Sequence, residues 1–257
     1  FLTESIREEP LLISQLVRIA CLNIALQPVW EGLMEGKWNA EQLVDLEKQL
    51  AAIELLKGYQ ISILGERELA NLAIDQMAIN PKVFNEMVEG EAHKIGLAPE
   101  GWLRHNQKRL NEMHLKFSQR IVDPKARRIH PDIAAAFNKE LDARTKLKFP
   151  IYDMFSGMLL PAIDKVAIKI GAAQASVDQA RIGCLLELHH LEHKNYPEKL
   201  AGLKKPLPLD PYNGKPYAYK LTKEGRYQLY GIGWNQKDDG GTVIKNGDRP
   251  DPENGDL

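Results

Sequence analysis

Ala180-Arg-Ile-Gly-Cys-Leu-Leu-Glu-Leu-His-His-Leu-Glu-His-Lys-Asn-Tyr-Pro197, continued by Asp210-Pro-Tyr-Asn-Gly-Lys-Pro-Tyr217, is the stretch on which the fold turns. It reads as the end of a long helix, a stop, and a turn leading into strands. Upstream, Val166, Ile170, Ala173, Val177, Cys184, Leu188 and Leu191 recur at three- and four-residue steps. That spacing lays them along one helical stripe, so a helix is expected from about Asp164 to Lys194, with Asp178, Glu187 and Lys194 off the stripe. Pro197 cannot continue a helix and biases Tyr196 away from helical geometry. The helix should therefore end near Asn195.

Downstream, Asp210-Pro-Tyr-Asn-Gly reads as a turn, because Pro fixes φ and Asn-Gly tolerates positive φ. Tyr217-Ala-Tyr-Lys-Leu221 and Arg226-Tyr-Gln-Leu-Tyr230 alternate as half-buried strands around Lys223-Glu-Gly225. A β-hairpin is expected there. The fold class that follows is mainly α with a small α+β C-terminal part, a long central helix followed by an antiparallel hairpin. Residues 1–160 read as a helical region, and residues 161–257 as the long helix, a small sheet and an acidic tail.

The order of small and apolar helix residues, Asn195-Tyr-Pro197, Asp210-Pro-Tyr-Asn-Gly-Lys-Pro-Tyr217, Tyr227-Gln-Leu-Tyr-Gly-Ile-Gly233 and an acidic, Gly-rich tail resembles the C-terminal part of the type II secretion major pseudopilins. Members of that family begin with a hydrophobic helix that polymerises in the membrane. Here about 160 other residues precede the corresponding helix, so pilus assembly is not implied. The whole chain looks like a bacterial family that places a helical region ahead of a pseudopilin-like end. The resemblance implies assembly or partner binding, with protein partners or self-association, in an extracytoplasmic setting, periplasmic or at the cell surface. It also implies calcium: Asn235 falls at a ligand place where the family has Asp, and Asp238, Asp239 and Asp256 would supply the carboxylates.

Composition sets outer limits. With 257 residues, 44% hydrophobic and 27% charged, the chain is large enough for one or two real cores. A net charge of −1 gives no global pull toward nucleic acid, and none is expected as a partner. Pro10 to Trp30 is the most apolar early stretch, but Gln15, Arg18, Asn23 and Gln27 interrupt it. It reads as a buried amphipathic helix rather than a membrane span. Phe1-Leu-Thr-Glu lacks an initiating Met, which suggests a processed or trimmed form whose signal or membrane anchor lies outside this sequence. Cys21 and Cys184 both sit in apolar helical contexts, as two buried free thiols or one long-range disulfide.

The first part of the chain is almost wholly helical. Leu11, Leu12, Leu16, Ile19, Ile24 and Leu26 supply the apolar side of a first helix, which Pro28 is expected to kink or end. Asn39 is an N-cap for Ala40 to Leu56, with Gln42 at the reach-back position. Further helices are expected over Tyr59 to Met77, Lys82 to Glu89, Pro99 to about Ile121, and Asp132 to Leu147. Gly90 to Pro99 reads as a connection, Arg127-Arg-Ile-His-Pro131 as a break, and Phe149-Pro150 and Pro161 as punctuation before the long helix.

Four constellations could carry chemistry. His189-His-Leu-Glu-His193 matches the H-x-x-E-H spacing of inverted zinc proteases, with His189 and His193 one turn apart and Glu192 as a base. A hydrolase would need a third ligand; adventitious metal binding or an ordinary exposed helix end are the other readings. The tail from Asp238 to Leu257 carries six acidic residues against Lys245 and Arg249, and reads either as a calcium loop or as a solvated tail. Arg109, Lys116, Arg120 and Arg127 follow helical steps, with Arg104, Lys108, Lys125 and Arg128 nearby, as a phosphate-binding or merely solvated face. Tyr217, Tyr219, Tyr227, Tyr230 and Trp234 gather in the small sheet, where they would form a binding surface or cover the long helix. A ligand- or peptide-binding protein using a groove between helical region and sheet is a further alternative.

Overall fold

The long helix predicted from the stripe is the axis of the molecule. The computed structural model describes residues 2–80, 99–146, 153–160, 163–247 and 249–257. Helix α1 spans Leu12–Met34, α2 Ala40–Ala51, α3 Leu56–Ile79, α4 Glu100–Lys116, α5 Pro131–Thr145, α6 Met154–Leu159 and α7 Ile163–His193. The strands are β1 Val122–Asp123, β2 Arg128–Ile129, β3 Ala218–Leu221, β4 Tyr227–Tyr230, β5 Val243–Asn246 and β6 Arg249–Gly255. They pair as three separate antiparallel hairpins, β1–β2, β3–β4 and β5–β6. The protein is mainly α with a small α+β C-terminal part. The expected helix at Lys82 to Glu89, most of the Gly90 to Pro99 connection, and Phe149, Pro150 and Pro161 lie outside the described residues.

The stripe accounts for only half of α7. Asp178 and Glu187, expected off the buried side, are 3% and 8% exposed, and Leu191, expected on it, is 40% exposed. The reason is that α7 serves two cores at once. Val166, Ile170, Ala173, Val177, Ala180 and Cys184 join the large core with α1, α2, α3, α4 and α5. On the other side, Ala175, Ile182 and Leu186 pack with Leu200 and Tyr217 in a smaller core under the β3–β4 hairpin. A helix buried on most of its circumference has no polar face to mark in sequence.

Helix α1 departs from expectation in the opposite sense. Its buried apolar residues are Ile19, Leu22, Leu26, Val29 and Leu33, while Ile24 is 72% exposed. Pro28 does not end the helix, which continues to Met34. Pro28 lies on the exposed side, so the carbonyl that its missing N–H leaves unpaired faces outward. Arg18 is buried, with Nη1 donating to the Glu54 carbonyl at 3.2 Å and Nη2 to Glu4 at 2.7 Å. By length and composition α1 is long and apolar enough to cross a membrane, with a third of that window buried. Cys21 and Cys184 are free thiols; Cys184 is buried, but Cys21 is exposed, not buried as expected.

Local signals placed several boundaries well. Asn39 accepts from the Gln42 amide at 2.9 Å and the Gln42 side chain accepts from the Asn39 amide at 3.0 Å, closing the capping box. Helix α2 nonetheless stops at Ala51 rather than Leu56, because α3 begins a new helix at Leu56. The break at Arg127-Arg128 is the second half of the β1–β2 hairpin, with Arg127 at φ 55°. In β3–β4, Ala218 faces Tyr230 and Leu221 faces Tyr227, with Gly225 at φ 74° in the turn.

Candidate functional site

Where the long helix passes the β1–β2 hairpin, its middle turn carries a buried polar cluster. Arg127 reaches Asp178 with two parallel bonds, Nη1 to Oδ2 at 3.0 Å and Nη2 to Oδ1 at 2.9 Å. Its Nε donates to Glu54 at 3.0 Å. Asp178 also accepts from Gln174 at 3.2 Å and from the Tyr217 hydroxyl at 3.3 Å. Gln174 in turn accepts the Leu55 amide at 2.8 Å. Helical region, hairpin, α7 and small sheet thus meet at one carboxylate. Burial raises the Asp178 carboxyl above its ordinary range against the pull of Arg127. Burial also works against the Arg127 charge, but the bonds and field of Asp178 and Glu54 outweigh it and hold the guanidinium protonated.

The turn at Asp210 is built by a second buried carboxylate. Asp210 accepts from the Tyr212 amide at 2.8 Å and from the Ile232 amide at 2.9 Å, tying the turn to the segment that follows β4. Burial raises its carboxyl, and the two amides partly oppose that shift. Tyr212 is wholly buried against Gly171 of α7, where a Cβ would overlap its hydroxyl. Burial also raises the Tyr217 and Tyr227 hydroxyls. Tyr217 packs on Ile182 and Leu186, and Tyr227 meets Tyr196 edge-on at 4.9 Å. The aromatic group therefore covers α7. Tyr230 lies farther out, its hydroxyl donating to Asp238 at 3.1 Å, and Trp234 meets Tyr212 edge-on.

The H-x-x-E-H residues close α7. His189 and His193 have ring centroids 4.3 Å apart, and His189 Nδ1 lies 3.0 Å from the Asn195 carbonyl. Because that carbonyl only accepts, Nδ1 is the donor in this contact, and Nε2 is not used by it. Glu192 and His193 are exposed. Among the described residues, no three His, Cys, Asp or Glu side chains come together as a metal would require. His190 stacks on Tyr196 at 4.5 Å, and Tyr196 donates to Glu187 at 2.7 Å.

The four residues expected at calcium occupy one corner without converging. The Asn235 side-chain amide donates to Asp239 at 2.8 Å, and Asp238 accepts from the Gly240 amide at 3.0 Å. Asp256 is buried, one carboxylate oxygen accepting from the Gly241 amide at 2.7 Å and the other without a hydrogen-bond partner among the described residues. As placed, these groups do not form the oxygen cage that calcium takes. The tail also contains the β5–β6 hairpin, which its acidic, Gly- and Pro-rich composition concealed.

Among the basic residues, Arg104, Arg109, Arg127 and Arg128 are each engaged by protein groups. Arg109 makes a bidentate pair with Asp153, both bonds 2.8 Å, and Arg104 pairs with Asp75. Lys116 lies 4.9 Å over the Phe117 ring. Arg128 donates to the Pro211 and Tyr212 carbonyls at 3.3 and 2.9 Å. Lys108, Arg120 and Lys125 are exposed.

No family model, curated protein or solved structure matches the chain.

Proposed function

We propose that this is a noncatalytic structural or interaction protein, the extracytoplasmic part of an anchored bacterial protein, with a pseudopilin-like end that serves assembly or partner binding. The observation that carries the reading is the use made of its central charges: Arg127, Asp178 and Glu54 are bonded to one another, joining four parts of the fold. Groups committed in this way are poor proton carriers and good fasteners. A contact surface lies on the outer side of α1, where Ile13, Val17 and Ile24 are 62%, 48% and 72% exposed, with Ala20 and Cys21 between them. A continuous uncharged helical stripe suits a protein interface. A second copy is the occupant proposed, because two such stripes are self-complementary across a two-fold axis. Light scattering should find an oligomer that Ile24→Glu converts to monomer. A wild-type monomer throughout would remove the self-association reading.

The resemblance also proposes calcium at Asn235, Asp238, Asp239 and Asp256. Its support is the unpartnered Asp256 oxygen beside the 238–241 loop; binding would require that loop to turn its carboxylates inward. Elemental analysis coupled to thermal unfolding decides it: stoichiometric calcium and a lower Tm with chelator support the site, since a native-state ligand stabilises by mass action. Absence of both removes it.

A zinc hydrolase is the second reading, favoured by the His189 orientation, which leaves Nε2 available. It requires bound zinc and peptide hydrolysis that His193→Ala abolishes. Unchanged hydrolysis in that variant would reject it.

A further inference from the structure

Beside the Arg127–Asp178 pair lies an open cleft of about 710 Å³, within the size range of small-molecule sites. Its floor is α7 at Asp178 and Arg181, one wall is the β1–β2 turn, and the other is the extended Pro206–Leu209 connection. Leu50, Ile53, Leu207 and Leu209 make much of the lining apolar. Three guanidinium groups, Arg127, Arg128 and Arg181, share the lining with two carboxylates, Glu54 and Asp178. Both carboxylates are engaged by Arg127.

Arg128 and Arg181 are placed differently. Carbonyls of Pro211 and Tyr212 hold Arg128 through Nε and Nη2, leaving Nη1 with no hydrogen bond among the described residues. Gly214, at φ 70°, makes room for that group, since a Cβ would stand 2.6 Å from Nη1. Arg181 is anchored at Nε by Glu47 at 2.7 Å, and its two terminal nitrogens have no hydrogen bond among the described residues. Two oriented guanidinium groups with N–H to spare, next to apolar walls, match a planar oxyanion on an apolar body.

We propose that this cleft binds a carboxylate carried on an aliphatic body. Arg181 and Arg128 would take the carboxylate oxygens, and the Leu207 and Leu209 side would cover the aliphatic part. The site is independent of self-association through α1, which involves a different surface.

Calorimetric titration with N-acetyl-leucine, N-acetyl-leucinamide, inorganic phosphate and a short peptide ending in a free leucine tests it. The acid should bind saturably and the amide at least tenfold more weakly. Arg181→Gln should weaken the acid at least tenfold, and so should Leu209→Glu, which changes an exposed side chain at the cleft and should leave folding intact. Tighter binding of the peptide than of the acetylated acid would assign the carboxylate to a chain terminus; the reverse order would assign it to a free organic acid. Equal binding of acid and amide, phosphate binding as tightly as the acid, or no saturation at millimolar ligand would each overturn the proposal. So would wild-type affinity in Arg181→Gln.

Discussion

Asp178 is almost wholly buried while its partner Arg127 is about one-third exposed, so the two members of the pair are not equivalent to mutation. Arg127→Met leaves a carboxylate in the interior without its cation and should cost about 3 kcal/mol in a urea titration. Adding Asp178→Leu should recover much of that loss, because the uncompensated charge is gone. His114 provides a pH-dependent counterpart. It is buried with Nδ1 unpartnered among the described residues, and burial, then the Arg67 charge, lowers it to about 4 from 6.5. Between those values the unfolded chain binds a proton that the folded protein refuses, so stability falls as pH drops from 6.5 toward about 4. The full depression corresponds to about 3 kcal/mol. His114→Leu should flatten that part of the stability–pH curve, whatever it does to stability at neutral pH.

Elements differ in how openly their sequences announce them. The Asn39 cap is readable because its hydrogen bonds lie within four residues, and Asn39→Ala should cost about 1 kcal/mol of thermal stability. The β3–β4 hairpin is readable for the same reason. In contrast, the Arg127–Asp178 bond joins residues 51 apart, and no local spacing discloses it. Helix α7 was legible as a helix, and the lack of any low-complexity linker fits its packing on both halves of the chain; which of its residues face each core was not legible, since that depends on what packs from each side. Helix α1 shows the converse: apolar on both sides, it gives no clue to which side is covered. The β5–β6 hairpin escaped because prolines argue against a strand, yet a two-stranded ribbon leaves outer edges that need no donor. The cleft with Arg128 and Arg181 was equally invisible, its walls coming from four separate segments. Gly171→Ala tests how tightly α7 and the Asp210 turn are fitted. The added methyl meets Tyr212 and Ile129, and a loss of roughly 1–3 kcal/mol is expected from chemical denaturation.

At the scale of the whole molecule, the large core runs from Ile19 in α1 to Tyr212 beyond the end of α7, so the helical region and the C-terminal part share apolar contacts across the 160/161 boundary drawn from the order of helix and strand patterns. Ile24→Glu belongs to this scale too: it should alter assembly while leaving the midpoint of unfolding near wild type, because Ile24 faces away from the core. The exposed Lys204–Lys205 pair, with Lys204 at φ 51°, stands on the connection that follows α7. A trypsin nick there would sever the polypeptide without separating its pieces. Tyr217, Tyr227 and the Leu257 carbonyl that accepts from Gln179 at 2.7 Å would keep the released fragment seated on α7. The cut protein would therefore travel as one particle in a native gel and as two bands only in denaturant, a molecule whose covalent continuity at that point is dispensable to its shape.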